Sequence, residues 1–143
     1  MKKESYTITD IAKMSGLTTR TIRNYLADGQ IHGEKKDGKW VFTCDDFTDM
    51  LENPYVGPAI KAKNNALLFD FIKDDKKTVD STCIIIDRCV DGEAEQVLVE
   101  RLCNLVNAYG GVEFRYMKRN GNIRIILTGR EETVRKIYLE LDV

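Results

Sequence analysis

The chain has little of what metal, redox or membrane proteins carry. It holds one histidine, His32, in 143 residues. Its four cysteines, Cys44, Cys83, Cys89 and Cys103, form no Cys-x-x-Cys pair. That spacing argues against a zinc ribbon or a disulfide framework. Cys83 lies in an apolar run and Cys103 on the apolar side of a helix, so both read as small buried hydrophobes. The lack of a disulfide framework fits a reducing cytosol, and a cytoplasmic location is expected. No Gly-rich phosphate loop is present, and no histidine stands at useful spacing from a nucleophile. Asp87 and Asp91, near the end of a strand, read as solvated or capping acids. An enzyme is not expected, and neither is a cofactor or a metal. No apolar run approaches the ~20 residues that span a bilayer, and no apolar stretch follows the initial Met-Lys-Lys. Neither membrane association nor a signal peptide is expected.

A dominant charge is also missing, since the net charge is −1. Its distribution is uneven, however. Residues 1–43 carry eight Lys or Arg against five Asp or Glu, and residues 44–53 carry four acids and no base. A locally basic face on a near-neutral chain is compatible with salt-sensitive binding to a polyanion.

That basic stretch has a helical pattern. Thr9 can cap a first helix through Ile11, Ala12 and Met14. Gly16 permits the sharp turn that must follow. Thr18 or Thr19 caps a second helix that runs to about Asp28 and is ended by Gly29. Ile22 and Leu26, four apart, share the face that packs on the first helix. The rest of the second helix presents Thr19, Arg20, Thr21, Arg23, Asn24 and Tyr25. Long cationic donors and a bidentate amide are the groups that reach phosphates and base edges. Ile31 to Lys35 and Trp40 to Phe42 read as two short strands around the turn Lys36-Asp37-Gly38-Lys39. Lys35, Lys36 and Lys39 make the tip of this ribbon basic, and Trp40 reads either as the core of the ribbon or, with Lys36 and Lys39, as a contact to the nucleic acid. Thr43 caps a third helix carrying Phe47, Met50 and Leu51.

Residues 6–52 resemble the DNA-binding domain of MerR-family transcription regulators. The matching residues are Tyr6-Thr7-Ile8, Ile11-Ala12, Ser15-Gly16-Leu17, Arg20-Thr21-Ile22-Arg23-x-Tyr25, Gly29 and Ile31. The resemblance implies a winged helix-turn-helix on double-stranded DNA, with Arg23 and Tyr25 on the DNA backbone and wing contacts to phosphate. The chain has Asn24 where the family usually has tyrosine. Its wing reads Gly38-Lys39-Trp40-Val41-Phe42, with Trp40 in place of the family's arginine. Such a wing is closer to that of phage-type excisionases, and Lys39 can substitute for the missing cation.

Asn53-Pro54 and Gly57-Pro58 break the chain. A helix is then predicted over residues 58–73, with Ile60, Asn64, Leu67, Leu68, Phe71 and Ile72 along one stripe. Asp74-Asp75-Lys76-Lys77 reads as a solvated linker. Thr82 to Asp87 is a continuous β-rich run, as in a strand covered on both faces. Glu93 to Tyr109 is an amphipathic helix with Leu98, Leu102, Leu105, Val106 and Tyr109 on one face. Val112 to Lys118 and Ile123 to Leu127 flank Asn120-Gly121, the strongest short hairpin signal. With that turn, Tyr116 faces Ile125 and Phe114 faces Leu127. Thr128-x-x-Glu131 reads as a capping box before a last helix with Val134, Ile137, Tyr138 and Leu141 inward.

The expected class is therefore α+β. A winged helix-turn-helix spans residues 1–53, and a linker with an amphipathic helix spans 54–79. A βαββα unit of ferredoxin-like type, without a clear fourth strand, spans 80–143 and serves dimerisation or effector binding. Leu67 and Phe71 on the linker helix, with Ile85, Met117 and Ile126 on the outer sheet face, are the candidate homodimer contacts; the linker-helix residues can equally pack on the C-terminal domain of their own chain. Three functions fit this layout. They are a homodimeric DNA-binding transcription regulator, with or without an unidentified small-molecule effector, an excisionase-like directionality or architectural factor, and a protein-interaction module that has lost DNA binding.

Overall fold

A computed structural model describes residues 5–90, 92–119 and 121–142. The chain divides into two compact units, Met1–Asn65 and Ala66–Val143. The division falls inside a single helix, α4 (Val56–Lys73).

The first unit opens with α1 (Ile8–Ser15). Its cap is Thr7 and not Thr9. The Thr7 hydroxyl accepts from the Asp10 amide at 3.1 Å, and the Asp10 carboxylate accepts from the Thr7 amide at 3.0 Å. Asp10 supplies this reciprocal acceptor and Thr9 has no matching acid three residues on, so the helix starts two residues earlier. Gly16 takes φ 80° at the C-cap. Next come α2 (Thr19–Ala27), β1 (Glu34–Lys36), β2 (Lys39–Val41) and α3 (Cys44–Glu52). Thr43 and Asp46 close a second capping box on α3.

The strand predicted over residues 31–35 moves toward the tip. Ile31 is 4 % exposed and serves the core, and Glu34 is the first residue of the ladder. Phe42 leaves β2 to pair with Tyr6 by two backbone hydrogen bonds of 2.7 and 2.8 Å. Tyr6, Ile11, Met14, Ile22, Phe42, Phe47 and Met50 fill the interior of this unit.

Helix α4 (Val56–Lys73) starts two residues before the predicted helix. Asn53 explains the early start. Its side-chain oxygen accepts from the amides of Tyr55 and Val56, at 2.8 and 3.0 Å. Its side-chain nitrogen donates to the Gln30 carbonyl at 2.9 Å. At the far end, Lys77 folds back on the helix. Its ammonium donates to the Phe71 and Asp74 carbonyls at 2.6 and 2.7 Å and stands 4.3 Å from the Phe71 ring centre. Part of the predicted linker is thus a C-terminal cap.

Gly57 makes the start of α4 possible. A Cβ there would lie 2.3 Å from the Leu51 carbonyl oxygen. Exchanging glycine for alanine in a helix ordinarily stabilises by about 0.5–1 kcal/mol. Here the obstacle is backbone, and the sign reverses. Gly57→Ala is expected to destabilise this unit by about 1–3 kcal/mol. A thermal melt followed by fluorescence of Trp40 would contradict this by showing an unchanged or higher midpoint.

The second unit runs β3 (Ser81–Arg88), α5 (Gly92–Tyr109), β4 (Val112–Arg119), β5 (Asn122–Arg130) and α6 (Glu131–Glu140). The sheet is antiparallel, in the order β3-β5-β4. The hairpin has the predicted register, with Tyr116 opposite Ile125 and Phe114 opposite Leu127. Gly121 has φ 80°, and its neighbour Asn120 lies outside the described residues. One face buries Phe114, Tyr116, Ile123, Ile125 and Leu127, while α5 adds Leu98, Val99, Leu102, Cys103 and Val106 to the core, and α6 adds Val134 and Ile137. Glu95 is buried on α5, where the Tyr116 hydroxyl donates to it and Lys118 stands 3.2 Å away. A carboxylate can be buried there because both partners face it.

Three expectations change in this unit. Thr128 does not cap α6, because it stays in β5 between Cys83 and Glu113. The helix begins after Arg130 with no side-chain cap. β3 is not covered on both faces, since it is an outer strand and Ile85 is 51 % exposed. Ile126 was expected on the open face but is 1 % exposed. It sits on the central strand with Ile85 and Arg115 directly beside it, which shields it as an edge position would not be shielded.

Candidate nucleic-acid interface

Two elements of the first unit carry the candidate residues. The first is α2. Thr18 caps it, accepting from the Thr21 amide at 3.1 Å and donating its hydroxyl to that of Thr21 at 2.9 Å. Thr21 is half-buried, and its hydroxyl is engaged in the cap. Ile22 is fully buried and fixes the rotation of the helix about its axis. That rotation leaves Arg20, Arg23 and Asn24 exposed, at helical spacings of three and four that align them on one face. Thr19 and Tyr25 flank the face and are half-buried. α2 contains two arginines and no acid, so nothing on it neutralises this face.

The second element is the wing. Asp37 and Gly38 take φ of 53° and 78° and form a two-residue turn between Lys36 and Lys39. Positive φ at both central positions matches the right-handed twist of a two-stranded ribbon. Lys35, Lys36 and Lys39 are all exposed. Trp40 is half-buried, opposite Lys35 in the ladder. The Lys35 ammonium lies 5.3 Å from the centre of its ring. This cation–π contact holds a charge beside the indole. The sequence signal for this contact is the turn Lys36-Asp37-Gly38-Lys39, which sets the residues on either side of it, Lys35 and Trp40, opposite each other.

Asn53 is the positioning residue that sequence reading missed. Asn53-Pro54 read as a chain break. In the fold, the Asn53 side chain ties the segment between α2 and the wing, at Gln30, to the start of α4.

Of the candidate dimer residues, Ile85, Met117 and Ile126 share one face of the sheet, and their exposure differs. Ile85 is exposed, Leu67, Phe71 and Met117 are half-buried, and Ile126 is buried. Cys44 and Cys103 are buried, Cys83 is half-buried and Cys89 is exposed. Burial pushes the Cys83 thiol up, and a hydrogen bond with Thr128 partly offsets it. Among the described residues no group of three or more His, Cys, Asp or Glu side chains is placed to hold a metal ion. No helix among them is long and apolar enough to cross a membrane.

Residues 5–54 match the family model of a helix-turn-helix domain. No curated protein and no solved structure matches the chain. The first unit thus contains a helix-turn-helix domain of the DNA-binding kind, with α2 in the position of the second helix.

Proposed function

We propose that the protein is a sequence-specific transcription regulator that binds double-stranded DNA as a homodimer. The observation that carries this reading is the α2 face of Arg20, Arg23 and Asn24, exposed together in a unit that also exposes a lysine-tipped wing. In this reading α2 enters the major groove. Arg20 and Asn24 meet base edges, where bidentate donors discriminate guanine and adenine. Arg23, Tyr25 and Lys39 hold phosphates and set the register of the helix in the groove. Thr19, Lys36 and Trp40 border the same contact. The resemblance of residues 6–52 to MerR-type domains supports this assignment of roles.

A second reading draws on the wing. Gly38-Lys39-Trp40-Val41-Phe42 has an aromatic residue where a MerR-type wing has arginine, as in excisionase-like proteins. The protein would then act as a directionality or architectural factor that bends recombination-site DNA. Trp40 with Lys35 against its ring supports this alternative.

Selection of bound sites from random duplex DNA separates these readings. A dimeric regulator should enrich a two-fold symmetric consensus with half-sites one or more helical turns apart. An asymmetric site, or a direct repeat that the protein bends, would favour the directionality factor. Failure to enrich any sequence would overturn both.

A further inference from the structure

The sheet of the second unit has two edges, and they differ in chemistry. β4 carries Glu113, Arg115 and Lys118 along its length. Charges of this kind guard an edge against pairing with another strand. β3 reads Ser-Thr-Cys-Ile-Ile-Ile-Asp-Arg, with no charge before Asp87 and no proline. Its whole central stretch is an unguarded edge.

The direction of its backbone groups follows from the register. The Glu131 amide donates to the Asp80 carbonyl at 2.9 Å, extending the β3–β5 ladder by one pair. Hydrogen-bonded pairs alternate along an antiparallel ladder. Thr82, Ile84, Ile86 and Arg88 therefore bond to β5, and the N–H and C=O groups of Ser81, Cys83 and Ile85 point away from the sheet. The hairpin gives the same phase. Its closing pair, Arg119 with Asn122, makes the even-numbered residues of β5 face β4 and leaves the odd-numbered ones for β3. Beside this edge lies a groove of about 490 Å³, lined by Thr82, Ile84, Ile86, Val134, Arg135 and Tyr138 among others. The open hydrogen-bonding edge borders this groove, and Val134 and Tyr138 of α6 line it from the helix layer.

We propose that a second copy of the chain fills this place, its β3 pairing antiparallel with β3 about a two-fold axis at Ile84. The inference rests on the dimeric reading above and assigns it an interface. A two-fold axis perpendicular to the sheet keeps each residue on its own face, so only same-parity residues can stand opposite each other. Centring on Ile84 places Cys83 opposite the partner's Ile85, and Ile85 opposite the partner's Cys83. Each of these pairs exchanges two backbone hydrogen bonds using groups that point outward. The same register sets Asp80 opposite the partner's Arg88, twice over, which gives the interface complementary charge at both ends. Arg88 already holds Asp142 at 2.6 Å, and 22 % of its side chain is open to a second carboxylate. The next allowed register, centred on Ile85, sets Asp80 opposite the partner's Val90 and loses that match. In the Ile84 register the partner's Ile84 and Ile86 fall on the groove side and supply the apolar filling that Val134 and Tyr138 await. The result is a continuous six-stranded sheet with the charged β4 strands at its two outer edges.

The test combines mass and cross-linking. Wild type is expected to scatter light as a dimer at micromolar concentration. Ile85→Pro removes an outward N–H and no bond to β5, so it is expected to halve the mass while keeping the wild-type circular dichroism. In a Cys89→Ser background, Ile85→Cys is expected to give a disulfide-linked dimer through Cys83, and Asp87→Cys is not. A folded Ile85→Pro variant that stays dimeric would overturn this interface and leave the dimeric reading standing. Cross-linking through Asp87→Cys in preference to Ile85→Cys would overturn the register. Should Ile85→Pro fail to fold, a missing Ile85→Cys cross-link in dimeric protein would overturn the interface. A monomeric wild type would overturn both the interface and the dimer.

Discussion

Replacing Arg20 and Arg23 together by alanine should lower affinity for a selected duplex by roughly 10²–10³-fold, with no change in thermal stability. Both side chains are exposed, so neither contributes core packing whose loss could mimic the effect. The two single variants should separate by role. Arg20→Ala removes a base-edge contact, is expected to cost about 1–3 kcal/mol, and should relax preference at one position of the site. Arg23→Ala removes a phosphate contact, should weaken all sequences alike, and should reduce the salt slope of log affinity by about 1. Titrations by fluorescence anisotropy at several salt concentrations, against the selected site and single-base variants, read both signatures. Unchanged affinity of the double variant would remove α2 from the DNA and leave the wing or another face as the contact.

How far the sequence revealed this site depends on the range of the interactions involved. The helix-turn-helix is built from contacts a few residues apart, and local chemistry marks them. Gly16 is needed for a left-handed turn, Thr18 precedes the helix it caps, and Asp37-Gly38 suits a ribbon turn. The Asn120-Gly121 signal set the β4–β5 register to the residue because a two-residue turn allows only one pairing. The misreadings occur where a distant partner decides the outcome. Thr128 and Glu131 have capping-box spacing, but Thr128 is held in the centre of the sheet by pairing on both sides. The apolar run of β3 is what a covered strand requires, and nothing local says that only one neighbour is supplied. Ile126 and Ile85 alternate alike in sequence, and only strand order makes one central and buried and the other peripheral and exposed. Sequence periodicity finds the face of a strand. It does not find the strand's place in the sheet.

The base of the wing carries the second large effect. Phe42 is 1 % exposed, and its backbone pairs with Tyr6, which is equally buried. Gly33, at the root of β1, packs so closely on the Phe42 ring that a Cβ there would lie 2.7 Å from a ring carbon. Phe42 thus joins the N-terminal segment through its backbone, and its ring packs on the wing root in the interior of the unit. Phe42→Ala removes the ring where the backbone on two sides is held by hydrogen bonds, so the gap can close only in part. The expected loss is about 3–5 kcal/mol. A core within a unit of this size seldom supplies more than about 3–5 kcal/mol in total, so the helix-turn-helix unit is expected to unfold near room temperature. Trp40 is the single tryptophan and lies two residues from the substitution, so its emission reports on this unit alone. The variant should show the red-shifted emission of a solvated indole, or a melting midpoint far below wild type, together with loss of DNA binding. Phe42→Leu keeps part of the packing and should fall between the two. A Phe42→Ala variant with the wild-type midpoint and wild-type DNA affinity would show that the wing stands without its aromatic anchor, and that α2 needs neither the wing nor Tyr6 to be held in place.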